Sequence, residues 1–276
     1  MKKILLLIIS LISLTGFSQK KEKIKGNREV LIKEFSVADF EAIEIGEKFA
    51  VAIEKTSDTT RIVIETDDNL FDVIHFNVEN KTLHFSTSKE IVKKKRLKIT
   101  VFVPEKLNSI SVIEKGKVFN DDKLSLDNLQ IKANNRGEIN LDLQIKNNFV
   151  IKASDKSKIE LTGNAQTASV NLADNAKLET EWQVQNVDIL LNDYAYFKAK
   201  GSAHQLKLRA QNKTTCKASK WIVKDAIISS FDKAETSINV SGNLSLEETG
   251  NTAVYIYGSP KINLKKFNDN ASLYKK

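Results

Sequence analysis

The sequence predicts an all-β protein: a right-handed parallel β-helix of about eight coils, each 18–21 residues long, preceded by an N-terminal β-rich part. Three observations lead there. A nine-residue pattern recurs at near-constant spacing from Ile110 onward. Apolar and polar residues alternate with period 2 through most of the chain, and the 3.6 period of an amphipathic helix is missing. Only two prolines occur in 276 residues, as expected where Pro would remove a ladder hydrogen bond from an inner strand.

The elements follow in chain order. Lys2 and Lys3 precede the apolar run Ile4–Leu14, and Gly16 and Ser18 are small residues before Gln19. This is the pattern of a secretory signal peptide over residues 1–18, and the run is too short for a stable membrane span. The expected mature chain has net charge 8 − 2 = +6, no transmembrane span, and no Cys near the cut that could carry a lipid. The expected location is beyond the inner membrane, whether periplasmic, outer-surface or extracellular. Residues 19–34 read as a mobile polar leader. Residues 35–108 read as the N-terminal β-rich part, with strands at Phe40–Ile45, Phe49–Glu54, Arg61–Thr66 and Leu97–Pro104. Phe71–Ser88 reads as two strands around the turn Glu79-Asn80-Lys81. Whether this part makes the first coils or a separate sheet stays open at this point. Residues 109–265 are the β-helix repeats and 266–276 a C-terminal tail.

The repeats are best seen in "IKASDKSKI" from Ile151 and "VNLADNAKL" from Val170. Eight copies begin at Ile110, Ile131, Ile151, Val170, Ile189, Leu208, Ile228 and Leu246, in steps of 21, 20, 19, 19, 19, 20 and 18 residues. Leucine-rich repeats have a comparable period but need a spacing that is absent here. A β-helix coil fits, because coils stack about 4.8 Å apart by parallel hydrogen bonding. Positions one, seven and nine are apolar or small, position three is usually Ala, Leu or Val, and all four belong inside. The fifth is Asn135, Asp155, Asp174, Asp193, Asn212 and Asp232 in six copies, Glu114 in the first and Gly250 in the last. Asn, Asp and Gly accept left-handed backbone geometry, and Asn and Asp can hydrogen-bond nearby backbone N–H groups. This row is therefore expected to form a structural bend ladder, each side chain bonding the backbone of its own turn.

These residues resemble the family described as putative auto-transporter adhesin, head GIN domain. "FEAIEIGEKFAVAIEK", "RIVIET" and "VENKTLHFS" are similar to its opening, "NNRGEIN" to its repeated bend, and "VYIYGSPKI" to its closing coil. The resemblance covers roughly residues 35–265, although most repeat glycines are replaced here by Lys, Ala and Ser. It implies a secreted β-helical fold of the Gram-negative envelope and carries over no catalytic residue.

Candidate chemistry is sparse. There is no Gly-x-Ser-x-Gly elbow, P-loop or His-Glu-x-x-His, so no catalytic residue, metal site or cofactor is expected. His75 and His84 could meet across the hairpin, but a metal would need a further ligand. Cys216 is the single cysteine, which excludes an internal disulfide; its ninth, inward position predicts a buried thiol. The basic run Ile91–Arg96 suits an anionic contact or, more simply, a solvated loop. Tyr194 and Tyr196, with Phe197, place aromatic rings on one coil and are candidate ligand contacts. The resulting expectation is a non-catalytic, adhesin-like binding or scaffolding protein. Its partner is a glycan or an envelope protein rather than nucleic acid. The alternative is a carbohydrate-active β-helix enzyme, which would need outward carboxylates on adjacent coils.

Overall fold

A computed structural model of the protein describes residues 21–276. The chain is nearly all β, a parallel solenoid of about nine turns. The predicted signal peptide and Gln19 lie outside the described residues.

Five strands make the body: Glu138–Ala153, Lys158–Leu172, Lys177–Leu191, Tyr196–Ala210 and Thr215–Asp232. Each pairs in parallel with the next, and equivalent repeat positions stay in register, as in Ile159 opposite Leu178 and Leu178 opposite Phe197. Period-2 patterning explains this. A slip of one residue would turn the whole apolar set outward. The inward side chains stack into one continuous core from Phe40 to Ile256.

The N-terminal part is both coil and cap. Ala42–Ile45 stacks in register on Ser109–Val112, and Ala50–Lys55 stacks on Lys117–Phe119. Residues 42–55 are thus the first coil, although its neighbour lies some 67 residues on in the chain. The intervening segment closes that end of the solenoid. Thr82–Thr87 and Leu97–Val103 add parallel strands to the first coil, and Val30–Ser36, Arg61–Asp67 and Ile74–Glu79 fold over them in antiparallel pairs. The hairpin turn falls at Asn80 and Lys81, both at positive φ, which is the geometry two-residue hairpin loops require.

Three readings of the chain ends and turns change. Residues 19–34 are not all a mobile leader, because Lys23–Lys25 pairs with Glu90–Lys93 and Val30–Ser36 pairs with Arg61–Asp67. Their Lys and Glu side chains made the segment look polar, yet an edge strand needs little apolar content. Residues 266–276 are not a free tail: Lys261–Phe267 and Ser272–Lys275 stack on the preceding coil. Phe71–Val73 belongs to a short 3₁₀ turn, Asp68–Val73, rather than to a strand.

Packing inside the solenoid alternates large with small. Trp182 lies between Gly163 and Gly201 in the adjoining coils, and Trp221 follows Gly201. Gly201 leaves room for the two indoles to stack across its coil, with ring centroids 6.0 Å apart. Its φ is +101°, and a Cβ there would come within 2.1 Å of the Trp182 carbonyl oxygen. Gly201→Ala should therefore destabilise the protein by roughly 2–4 kcal/mol, through backbone strain at positive φ and the clash with the Trp182 backbone. Urea unfolding checks this, with exposed Ser202→Ala as a control expected to change little.

Cys216 lies between Phe197 and Thr236 in the adjoining coils and is buried. Burial pushes its thiol up to about 12. The native protein should resist alkylation at pH 8 and react with one equivalent of iodoacetamide once unfolded.

Candidate binding groove

The bend recurs at one place in every coil. Glu47, Glu114, Gly250 and Asp269 hold positive φ there, and so do the six predicted bend residues, with φ between 57° and 64° for those six. Within most turns, the N–H of the seventh residue donates to the carbonyl of the fourth, as Ala176 does to Ala173 at 3.1 Å. Between coils, the fourth, sixth and eighth N–H groups donate to the preceding coil. Ala173, Asn175 and Lys177 reach the carbonyls of Ala153, Asp155 and Ser157 in this way. The fifth N–H is left over.

In most coils that group is satisfied by the next coil's fifth side chain; the exceptions are Asp193, where the Asn212 side-chain amide instead donates to the Asp193 carboxylate, and Asp232, which faces Gly250. The Asn135 N–H donates to the Asp155 carboxylate at 2.9 Å, the Asp155 N–H to Asp174 at 3.2 Å, and the Asn212 N–H to Asp232 at 3.1 Å. Glu47 and Gly250 donate likewise to Glu114 and Asp269. The expectation that each side chain bonds its own turn is corrected. These side chains are exposed and reach along the stacking axis to the coil before. The small seventh residue, such as Ser157, Ala176 or Thr214, is buried beneath the bend.

Along this crest runs a groove of about 1110 Å³. One wall is the bend row from Glu47 to Asp174 with its sixth-position neighbours Lys115, Arg136, Lys156 and Asn175. The other is the overhang of the cap, with Lys21, Glu90, Ile91, Lys94 and Leu97. Lys21 meets Glu47 at 2.6 Å, and Lys48 meets Glu90 at 3.2 Å. Burial pushes the Glu47 carboxyl up, but hydrogen bonds from Lys21 and Thr87 outweigh it and hold the group below the usual range. The groove therefore offers both charge signs, hydrogen-bond donors on its crest, and the apolar faces of Ile91 and Leu97.

Other candidate residues lie elsewhere. Tyr194 is 57% exposed on the crest beyond the groove, with the Lys213 ammonium 5.4 Å from its ring centroid. Tyr196 is half-buried, with Lys217 at 5.7 Å. Phe197 does not join them: it faces inward and packs on Trp221 at 5.9 Å. His75 lies opposite Ser86 and His84 opposite Asn77, so the two do not face each other. His84 instead faces Glu44 at 3.4 Å, and His204 belongs to a distant coil. Among the described residues no cluster of three His, Cys, Asp or Glu side chains could hold a metal ion. No described helix is long and apolar enough to cross a membrane.

Two features escaped the sequence. The run Ile91–Arg96 is not a plain loop: Glu90–Lys93 is a strand, and Ile91 and Lys94 line the groove. The apolar pair Ile91-Val92 beside the lysines was the available signal. A second polar corner also exists, where the Asn148 N–H donates to Asn128 and Thr167 to Asn148. It falls outside the nine aligned positions.

With this geometry the chain belongs to the family described as putative auto-transporter adhesin, head GIN domain, whose model matches residues 39–181 and 150–260. Solved structures share the fold. A putative adhesin from Parabacteroides merdae is 16% identical with a TM-score of 0.66, over 92% of this chain and 99% of that one. A putative adhesin from Parabacteroides distasonis is 12% identical with a TM-score of 0.62, over 92% and 100%. A putative lipid binding protein from the same species is 15% identical with a TM-score of 0.61, over 92% and 97%. No curated protein matches the chain.

Asp174→Asn keeps an acceptor for the Asp155 N–H and relieves repulsion between Asp155, Asp174 and Asp193. It should be neutral or slightly stabilising. Asp174→Ala leaves that N–H to water at an exposed bend and should cost about 0.5–1 kcal/mol. Thermal melts of both variants at low and high salt check this, since only the repulsion is screened.

Proposed function

We propose that this protein is a non-catalytic, adhesin-like binding module that works outside the inner membrane. The groove under the cap is the observation that carries this reading. It is concave, presents several polar side chains from a rigid ladder, and runs across five coils, which suits an extended ligand rather than a compact metabolite. The groove's carboxylates argue for binding over hydrolysis. Asp155 and Asp174 each use one carboxylate oxygen to accept a backbone N–H of the preceding coil, which gives them a structural role in the ladder. Family membership supports an envelope or secreted setting, as does the predicted signal peptide. A glycan or an extended segment of an envelope protein is the class of partner proposed. Tyr194 and Tyr196 would add a second contact further along the crest.

Binding of the mature protein to an array of bacterial and host glycans, and to immobilised envelope proteins, tests this. Arg136→Glu with Lys156→Glu should lower binding at least tenfold without lowering the melting temperature. Binding that survives this change but is lost in Tyr194→Ala would move the site to the tyrosines. Turnover of any glycan would refute the non-catalytic reading.

A further inference from the structure

The coil that begins at Leu246 carries a carboxyl where its neighbours carry apolar or small side chains. Glu248 occupies the third, inward position, held by Leu172, Leu191 and Ala210 in earlier coils and by Ser230 directly beneath it. It is fully buried. Neither carboxylate oxygen has an aligned hydrogen-bond partner, and the polar groups beside it are the buried hydroxyls of Ser230 and Thr252. On the far side it pairs with Phe267 of the last coil.

The first strand of that coil buries little, whereas Ser272–Lys275 is better held, with Tyr274 stacked on Tyr255 at 4.9 Å. Every residue of Lys261–Phe267 is exposed, and the strand slips register between Leu246 and Glu247, beside the buried carboxyl. No neighbouring charge compensates Glu248. Glu247 on its own strand is half-exposed and points outward. Asp232 and Glu235 on the preceding coil, and Lys265, Lys266 and Asp269 on the last coil, are all exposed. The groups that act on Glu248 are the hydroxyls of Thr252 and Ser230 and the carboxyl of Glu247. No Lys, Arg or His is buried among the described residues.

An unpaired carboxyl in such a place is tolerated when neutral. On ionising it needs water, and the solenoid beneath it is continuous. The last coil is the one element that can move aside. We propose that Glu248 is a pH-operated latch: protonated, it lets the coil from Lys261 to Lys276 dock; ionised, it drives that coil off the strands Asn243–Gly250 and Ala253–Tyr257. Undocking bares the backbone edges of those strands and the apolar side chains of Leu244, Leu246 and Val254, a surface competent to pair with another chain. The latch is independent of the groove.

Burial pushes the Glu248 carboxyl from 4.5 up to about 7, with the hydroxyls of Thr252 and Ser230 pulling it part of the way back and Glu247 adding to the rise. The docked coil thus holds the proton more tightly than the undocked one. Docking is strongest below about pH 4.5, weakens as pH rises to about 7, and is level above that. The undocking equilibrium should rise by on the order of 100-fold between pH 5 and pH 9.

Hydrogen–deuterium exchange of the full chain from pH 5 to pH 9, corrected for intrinsic exchange rates, tests the latch. Peptides from residues 261–276 should lose protection by roughly that factor, while peptides from residues 177–210 keep theirs. Glu248→Gln, and independently Glu248→Leu, should abolish the pH dependence. Protection of 261–276 that ignores pH in the wild type, or that falls equally in both variants, overturns the proposal. So does loss that is equal in residues 177–210.

Discussion

One backbone N–H per coil organises this molecule. A parallel solenoid must turn the chain at the same place in each layer, and a tight bend at positive φ leaves the fifth amide out of both the turn and the strand ladder. In most coils the next coil supplies the missing acceptor from its own fifth side chain. Each such bend is thereby tied to the one stacked on it, and the tie fixes register as well as direction. The alternation of inward and outward residues, the small seventh position and the continuous core all presuppose that register.

Much of this was legible in the sequence, for a physical reason. Asp155, Asp174 and Asp193 recur at 19-residue steps because a left-handed bend restricts residue type more than a strand does. The direction of their hydrogen bonds was not legible. Residue spacing shows which positions stack, and only the geometry of the turn shows which amide is left unpaired. The first coil was hidden differently. Its partner in the stack is Ile110, but Ile43 is separated from it by the whole cap, so no fixed period links them. Lys23–Lys25 was masked by its polarity, since a terminal strand buries little.

The groove was hard to read for a related reason. Its crest wall is periodic and appears in the repeat as Lys115, Arg136 and Lys156. Its other wall comes from residues near 21 and 91, which meet the crest through the cap fold. Sites made between a repeat and an irregular cap leave half their signal outside the repeat. The same cap closes the solenoid's N-terminal end, so closing the solenoid and forming the groove's second wall are one structural event. At the other end Glu248 breaks the inward pattern, and such local violations of patterning tend to mark places with a role beyond folding.

The central claim is the register of the stack, and engineered disulfides measure it most directly. In a Cys216→Ser background, Lys177→Cys with Tyr196→Cys places two thiols on register partners in adjoining coils. Their Cα atoms should lie within the range a disulfide spans. Lys177→Cys with Lys198→Cys places them two residues out of register. The account predicts rapid, near-complete oxidation of the first pair under air and little of the second, read by mass spectrometry after alkylation of free thiols. Preferential oxidation of the offset pair, or equal oxidation of both, would contradict the bend-locked register on which the fold and the groove rest.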